Sequence, residues 1–290
     1  MTLSLPIVRG FIDDLTNAFP PRRMPVPDRT SEEETGLDQI MGFFTDTTLC
    51  IGCKACEVAC KQWNQLPSDG FDFTGNSYDN TSHLGSTTWR HVAFKEQIGE
   101  RGARWLMMSD VCKHCERAPC EQSCPTGAIL YNEFGDVYVQ ADICNGCGYC
   151  IAACPFGVLG RNTEDGHAHK CTLCYDRQKD DLTPACAKAC PTASIQFGPV
   201  RELRERAKGR VKELHAGGNT DAYLYGADSI DDYGALNSFF LLEDHPNQYN
   251  LPESPPQPMR GQSKRYAMGV AAGLALTALA GALFAGSKRR

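Results

Sequence analysis

Cys144-Asn-Gly-Cys-Gly-Tyr-Cys-Ile-Ala-Ala-Cys-Pro155 is the stretch that decides the fold. Its four cysteines are separated by two, two and three residues, and a proline follows the last one. Three further sets of four use variants of this spacing, and the four sets together contain all sixteen cysteines of the chain. In chain order they are set one (Cys50, Cys53, Cys56, Cys60), set two (Cys112, Cys115, Cys120, Cys124), set three (Cys144, Cys147, Cys150, Cys154) and set four (Cys171, Cys174, Cys186, Cys190).

The spacing of set three is the one in which three thiolates bind one [4Fe-4S] cluster and the fourth reaches a neighbouring cluster. Sets two and four keep the Cys-x2-Cys start and the Cys-x3-Cys-Pro end, whereas set one has Lys61 where the others have proline. Because each [4Fe-4S] cluster needs four thiolates, sixteen cysteines predict four clusters. A chain built this way is a one-electron carrier, and we expect no catalytic residues of its own.

Three other interpretations fit less well. Structural zinc closes its tetrahedron with two Cys-x2-Cys pairs or with histidines, which does not explain three cysteines within seven residues. A disulfide framework suits small secreted domains, and this chain is long enough to fold without one. A non-redox scaffold would not need four clusters for stability.

The chain also repeats outside the cysteines. A turn and a short apolar stretch follow sets two, three and four, and residues 129–131 and 137–139 predict a small hairpin that leads into set three. The fold class is therefore α+β, with two bacterial-ferredoxin-like modules that each hold two [4Fe-4S] clusters. Sets two and three form one contiguous module, which leaves sets one and four to pair, although the spacing also allows sets three and four to pair.

Four stretches carry a family resemblance: 50–64, 112–116, 144–156 and 170–177. They resemble the four-cluster electron-transfer (beta) subunits of molybdopterin oxidoreductases, and most of all the iron-sulfur subunit of membrane-bound formate dehydrogenase. The resemblance implies that sets one and four exchange their last cysteines, and that sets two and three do the same. The implied clusters are Cys50/Cys53/Cys56/Cys190, Cys60/Cys171/Cys174/Cys186, Cys112/Cys115/Cys120/Cys154 and Cys124/Cys144/Cys147/Cys150.

The resemblance also implies a function and partners. Electrons would pass singly from a molybdopterin-containing catalytic subunit, which oxidises formate, to an integral membrane quinone-reactive subunit. Equivalent subunits of nickel-iron hydrogenases or polysulfide-type reductases remain the alternative. The implied location is the bacterial cytoplasmic membrane, with a single pass and the cluster domain on the extracytoplasmic face.

Composition is consistent with a globular protein attached to a membrane. The chain is 42% hydrophobic and 22% charged, and its net charge of −6 argues against nucleic acid as a partner. Residues 267–286 carry no charge, a run long enough to cross a hydrocarbon core of roughly 30 Å as a helix. We expect a transmembrane helix over 266–286, after a Pro-rich linker over 253–265.

The remaining domain boundaries follow from composition. Residues 1–42 read as an extended arm, and 43–200 as the four-cluster domain. Residues 61–111 form an inserted lobe, whose aromatic residues predict a small core of its own. Apolar residues at helical spacing predict a helix from Pro199 to His215, at the start of a packing and docking segment over 201–252.

Several residues beside the cysteines invite a role. His114, His167 and His169 lie close to cysteine sets, but the cysteines suffice for four clusters, so we expect these histidines in surface loops. The apolar neighbours Ile51, Val58, Ile151 and Phe156 are expected to keep water away from the clusters.

Overall fold

The computed structural model describes residues 40–71, 81, 83–99, 102–230, 233–256 and 262–287. The described helices are α1 Ala55–Asn64, α2 Pro119–Gln122, α3 Tyr149–Ala153, α4 Tyr175–Lys179, α5 Ala185–Lys188, α6 Val200–Ala216 and α7 Gln262–Ser287. The described strands are β1 Met41–Asp46, β2 Arg90–Gly99, β3 Gly102–Val111, β4 Ile129–Tyr131, β5 Val137–Val139, β6 Gly160–Arg161, β7 Ala168–His169, β8 Ile195–Pro199, β9 Tyr223–Tyr225 and β10 Ser238–Leu242. This mixture confirms the α+β class. Of the predicted arm over 1–42, residues 1–39 lie outside the described residues.

A four-stranded sheet with the order β8-β1-β10-β9 supports the cysteine sets. Strand β1 pairs with β10 in parallel and with β8 in antiparallel register, with Thr45 opposite Ile195. Phe44 and Phe239 stack on this sheet with their ring centroids 5.4 Å apart, and both are fully buried. Burial of these large apolar side chains stabilises the sheet, and the sheet in turn positions the cysteine-containing segments next to its strands.

Helix α6 packs on this sheet through the residues that predicted it. Leu203 and Ala207 are buried, as expected for apolar positions at helical spacing. Arg210 reaches from the helix to the buried carboxylate of Asp46, with 3.0 Å between Nε and Oδ2. The helix predicted from Pro199 to His215 is therefore present, with Pro199 as its N-cap and Gly217 as its C-cap.

The inserted lobe contains a long antiparallel hairpin, β2–β3, whose strands pair over their full length. Trp89, just before β2, is buried, but Trp63, Phe71 and Trp105 are exposed. The prediction that the aromatic residues of 61–111 form their own core is therefore wrong for these three residues, and Phe73 and Tyr78 lie outside the described residues. The hairpin instead packs its buried face on α1 and the cysteine sets, because one face of a two-stranded ribbon must be covered by another element.

Two short hairpins place the cysteine runs. The hairpin predicted over 129–131 and 137–139 forms as β4–β5, with Ile129 opposite Val139. Strands β6 and β7 form a smaller hairpin, with Gly160 opposite His169. Each hairpin joins the end of one cysteine set to the start of the next.

Helix α7 belongs to a second unit of the chain, separate from the unit that contains the cysteines. It begins at Gln262, before the span predicted over 266–286, and so includes Lys264 and Arg265. Over the part of the chain that the structure describes, no helix combines the length and the apolar character needed to cross a membrane. The predicted transmembrane helix is therefore not supported.

Candidate metal centre

Sets one and three share one backbone path. Gly52 and Lys54 in set one have positive φ, as do Gly146 and Gly148 at the corresponding positions of set three. In both sets a helix starts directly after the second of these residues, and its second residue is the third cysteine. The positive φ values turn the chain so that the first three thiols of each set face inward together.

Sets two and four share a different path. His114 and Leu173 have φ values of 43° and 53° at the same position between the first two cysteines. Short helices then carry the third cysteine: Cys120 in α2 and Cys186 in α5. Pro119 is the first residue of α2, and Pro184 is the N-cap of α5. The two kinds of turn therefore divide the sets into two pairs.

The strand pairings explain why cysteines from different sets meet. Set one follows β1 and set four precedes β8, and these strands are antiparallel, so Cys50 and Cys190 emerge at the same end of the sheet. Similarly, Cys124 precedes β4 and Cys144 follows β5, so this hairpin brings sets two and three together.

The thiols collect into four groups of four. Burial raises the pKa of Cys50, and the thiols of Cys190 and Cys53 raise it further. These three residues and Cys56 line one cavity. We call this set of residues group A (Cys50, Cys53, Cys56, Cys190).

Group B lies deeper in the chain. Burial raises the pKa of Cys60, and the thiols of Cys186 and Cys174 add to the shift. The pKa of Cys171 is raised by burial and then by a set of thiols that includes the other three. Group B (Cys60, Cys171, Cys174, Cys186) is buried throughout.

Groups C and D follow the same pattern. Burial raises the pKa of Cys115, and the thiols of Cys112, Cys120 and Cys154 raise it further; these four residues form group C. Burial raises the pKa of Cys150 to about 11, together with the thiols of its three neighbours. Those neighbours complete group D (Cys124, Cys144, Cys147, Cys150).

The four groups lie in one order. Cys186 of group B raises the pKa of Cys56 in group A, after burial, which has the larger effect. Burial and then the thiols of Cys60 and Cys112 raise the pKa of Cys171, which links group B to group C. Burial raises the pKa of Cys120 in group C, and the thiol of Cys150 in group D raises it further, which links group C to group D. The order is therefore A, B, C, D.

Exposure follows this order. Cys53 in group A and Cys147 in group D are exposed, whereas every member of groups B and C is buried or half-buried. The array thus has two ends near the surface and a buried middle.

Lys61 has a structural reason to replace the proline that follows the other sets. Helix α1 continues past Cys60 to Asn64, whereas α3 ends before Cys154. A proline at position 61 would break this helix. The Lys61 amine instead donates to the Thr88 hydroxyl, 2.7 Å away, and pairs with Asp69 at 3.2 Å.

The donor set fits iron-sulfur clusters. Each group supplies four thiol sulfurs, the ligands that [4Fe-4S] clusters use. The ring of His114, which lies between Cys112 and Cys115 in the chain, is fully buried, and both of its nitrogens lack a hydrogen-bond partner among the described residues. Unpaired buried polar groups of this kind mark a place where a bound group would supply the partner. Within the described ranges, no three His, Cys, Asp or Glu side chains form a group that would hold a single metal ion.

Comparisons with known proteins agree with this geometry. A family model described as a 4Fe-4S dicluster domain matches residues 49–128, and another with the same description matches residues 103–200. The iron-sulfur subunit of the nitrate-inducible formate dehydrogenase of Escherichia coli K12 is 40% identical over 214 residues, which cover 72% of this chain and 71% of that protein. The chain belongs to the family of formate dehydrogenase iron-sulfur subunits. This confirms the resemblance inferred from the cysteine stretches.

Other relatives of the chain show how far the likeness extends. The formate dehydrogenase-O iron-sulfur subunit of E. coli K12 is 41% identical and covers 72% of this chain and 70% of its own length. The probable anaerobic dimethyl sulfoxide reductase subunit YnfG of the same organism is 37% identical, over 57% of this chain and 76% of its own length. The two matched dicluster domains confirm the ferredoxin-like modules and the presence of 4Fe-4S clusters.

Two expectations about residues near the cysteines were wrong. Ile51 and Val58 are 60% and 67% exposed, so most of each side chain faces solvent, although Ile51 also lines the cavity of group A. Ile151 and Phe156 do pack against the core. His114 is fully buried and not in a surface loop, since its backbone turns inward between two cysteines, whereas His169 pairs with Asp165 near the surface.

Sequence reasoning missed Arg90 and Ser109, which contact the thiols from the inserted hairpin. The Nη2 of Arg90 lies 3.3 Å from the Sγ of Cys186, and the hydroxyl of Ser109 lies 3.3 Å from the Sγ of Cys56. The available signal was alternation, because Arg90 occupies the same strand face as Val92 and Phe94. A charge at the buried end of a strand face, next to two apolar residues, indicates a buried partner.

Proposed function

We propose that this chain carries single electrons through four [4Fe-4S] clusters, from a molybdopterin-containing formate dehydrogenase catalytic subunit to a quinone-reactive membrane subunit. The observation that carries the proposal is the order of the four thiol groups, with one exposed cysteine at each end. Family membership supports formate dehydrogenase as the electron donor. The relatives that match more than two thirds of this chain are named formate dehydrogenase iron-sulfur subunits.

Each group would hold one cluster. The proposed ligand sets are group A (Cys50, Cys53, Cys56, Cys190), group B (Cys60, Cys171, Cys174, Cys186), group C (Cys112, Cys115, Cys120, Cys154) and group D (Cys124, Cys144, Cys147, Cys150). When bound, each cluster takes up and gives back one electron. The chain supplies thiolates, holds neighbouring sites close together and excludes water from the middle two.

Both ends of the array offer surfaces for partners. Ile51 and Val58 are exposed apolar side chains beside the exposed Cys53. Ile143 and Tyr149 are exposed beside Cys147 at the other end. Exposed apolar residues around a functional site are typical of protein interfaces, which supports a different partner at each end.

The family resemblance also supports a location at the bacterial cytoplasmic membrane, with the cluster domain on the extracytoplasmic face. We include this in the proposal. Digestion of intact spheroplasts with an external protease tests it, because an outward-facing cluster domain is cut before the cells are lysed and an inward-facing one only afterwards.

The test of the electron path uses the complex purified anaerobically in mild detergent through this subunit. Electron paramagnetic resonance follows the iron-sulfur signals after addition of formate or, separately, of hydrogen. Reduction by formate alone supports the proposal. Reduction by hydrogen alone moves the chain to a hydrogenase, and silence with both donors while dithionite still reduces the clusters points to an acceptor-side reductase.

A further inference from the structure

Three cations are buried within the thiol array. Arg90, Lys113 and Lys170 each have at most 2% of their surface exposed. Burying a charge without a counter-charge is strongly unfavourable. Each of these cations must therefore be balanced by something that lies next to it.

Arg90 is balanced by sulfur. Its Nη2 donates to the Sγ of Cys186 in group B at 3.3 Å, and its Nη1 lies 3.4 Å from the hydroxyl of Ser109. That hydroxyl in turn lies 3.3 Å from the Sγ of Cys56 in group A. The guanidinium also stacks on Phe43, 4.6 Å from the ring centroid. Among the described residues, no carboxylate forms an ion pair with Arg90, so its counter-charge comes from groups A and B.

Lys170 is the equivalent cation one step along the array. Its amine donates to the backbone carbonyls of Val137 and Cys171, the latter at 2.9 Å. The amine also bonds the thiol of Cys112 in group C, and Lys170 directly precedes Cys171 of group B in the chain. In the described part of the chain Lys170 forms no ion pair with a carboxylate, although the buried carboxyl of Asp136 is close enough to interact with it. Lys170 is therefore next to both group B and group C.

Lys113 differs from these two cations. Its amine pairs with the carboxylate of Asp110 and packs on the rings of Phe156 and Phe240. This pair is close to neutral in sum. It therefore provides a natural comparison for Arg90 and Lys170, which form no ion pair with a carboxylate among the described residues.

We propose that Arg90 and Lys170 are the counter-ions that set the reduction potentials of the inner clusters, with Arg90 shared by groups A and B and Lys170 by groups B and C. The inference rests on the four-cluster function proposed above. A fixed positive charge favours the uptake of an electron nearby, whereas burial opposes it. Without these cations, the buried middle of the array would be an uphill step for the electron.

A charge-neutral variant at each position tests the proposal. The variants are Arg90→Gln and Lys170→Gln, with the charge-conserving Arg90→Lys and Lys170→Arg beside them. The double variant Lys113→Gln/Asp110→Asn is the matched control, because it removes a buried cation without changing net charge. Cys53→Ser and Cys147→Ser assign the signals of groups A and D.

The readout is a dithionite titration of the anaerobic complex with redox mediators, followed by electron paramagnetic resonance. At a fixed ambient potential, each neutral variant should raise the ratio of oxidised to reduced cluster at least tenfold, which for one electron is a 59 mV lower potential. The signal of group B shifts in both variants, that of group A in Arg90→Gln alone and that of group C in Lys170→Gln alone. The reduction potential of group D stays unchanged in both neutral variants, and all four potentials stay unchanged in the double variant.

Other outcomes overturn the proposal. One such outcome is unchanged reduction potentials in Arg90→Gln and Lys170→Gln at full iron content. Another is an equal shift in a charge-neutral variant and its charge-conserving partner. A third is loss of iron from all four single variants at positions 90 and 170. Iron lost from a neutral variant and restored in its charge-conserving partner supports a counter-ion role. Wild-type complex with fewer than four clusters would instead contradict the proposed function, and because dithionite is the reductant, formate activity does not enter the result.

Discussion

The hydroxyl oxygen of Ser109 lies 3.3 Å from the Sγ of Cys56, although 53 positions separate the two residues in the chain. Strand β3 carries Ser109 and helix α1 carries Cys56, so the inserted hairpin touches the cysteine array at this point. A hydrogen bond to a ligand sulfur stabilises the more negative, reduced state of a cluster.

Replacing Ser109 with alanine should therefore lower the potential of the cluster in group A. A hydrogen bond worth roughly 1 kcal/mol corresponds to about a fivefold change in the ratio of oxidised to reduced cluster. Redox titration measures this ratio. The control is Ser123→Ala, because that hydroxyl bonds the carbonyl of Cys120 and no sulfur; overlapping titration curves for S109A and the wild type at equal iron content would argue against the role.

Asp136 predicts a pH dependence of stability. Burial raises its pKa from 3.8 to about 7, against hydrogen bonds from Asn132 and Gln178. Between about pH 4 and pH 7 the folded chain holds a proton that the unfolded chain has lost, so this carboxyl makes stability fall as pH rises. The contribution is present below about pH 4 and is lost by about pH 7, at up to roughly 1.4 kcal/mol per pH unit.

An Asp136→Asn variant should remove this contribution. The difference in thermal midpoint between variant and wild type, measured on the anaerobic complex, should therefore grow in favour of the variant from about pH 4 to pH 7. Asp181→Asn serves as the control, because Asp181 is exposed. A difference that stays constant across this range would show that Asp136 ionises at its ordinary pKa.

Gly146 and Gly148 separate two reasons for glycine in set three. Both have positive φ, but a Cβ at Gly146 would overlap the carbonyl oxygen of Gly166, whereas none of the atoms around Gly148 lies within 4 Å. Alanine at either position costs about 1–2 kcal/mol in backbone strain, and only Gly146→Ala adds a clash with backbone. We expect G146A to lose iron from group D and G148A to keep it; equal iron content and equal thermal midpoints would contradict this.

The exposed apolar residues at the two ends predict separate docking sites. Val58→Glu, beside Cys53, and Tyr149→Lys, beside Cys147, should each release a different partner subunit from the purified complex. Loss of one buried apolar side chain, worth roughly 1.5–3 kcal/mol, weakens binding about tenfold or more. Native gels of the two variants measure the loss, and release of the same partner by both would contradict a path with two ends.

The cysteine spacing predicted the chemistry of the site, and the apolar stretches 129–131 and 137–139 predicted the hairpin β4–β5, because both depend on short stretches of chain. Turn glycines and apolar alternation are local signals, and Gly146 and Ile129 carry them. The partners of Arg90 could not be predicted in this way, since Cys186 lies 96 positions away and meets it only through the packing of the inserted hairpin. The exposure of Val58 was missed for the same reason, because the packing of helix α5 and strand β2 decides which side of helix α1 is covered.

The most direct test of the central claim is a cluster count. Iron and acid-labile sulfide analysis with Mössbauer spectroscopy would compare the anaerobically purified wild-type complex with Cys147→Ala. The account predicts four [4Fe-4S] clusters per chain in the wild type and three in the variant, which still assembles but no longer passes electrons from formate to quinone. An unchanged cluster count with unchanged quinone reduction in Cys147→Ala would contradict the account.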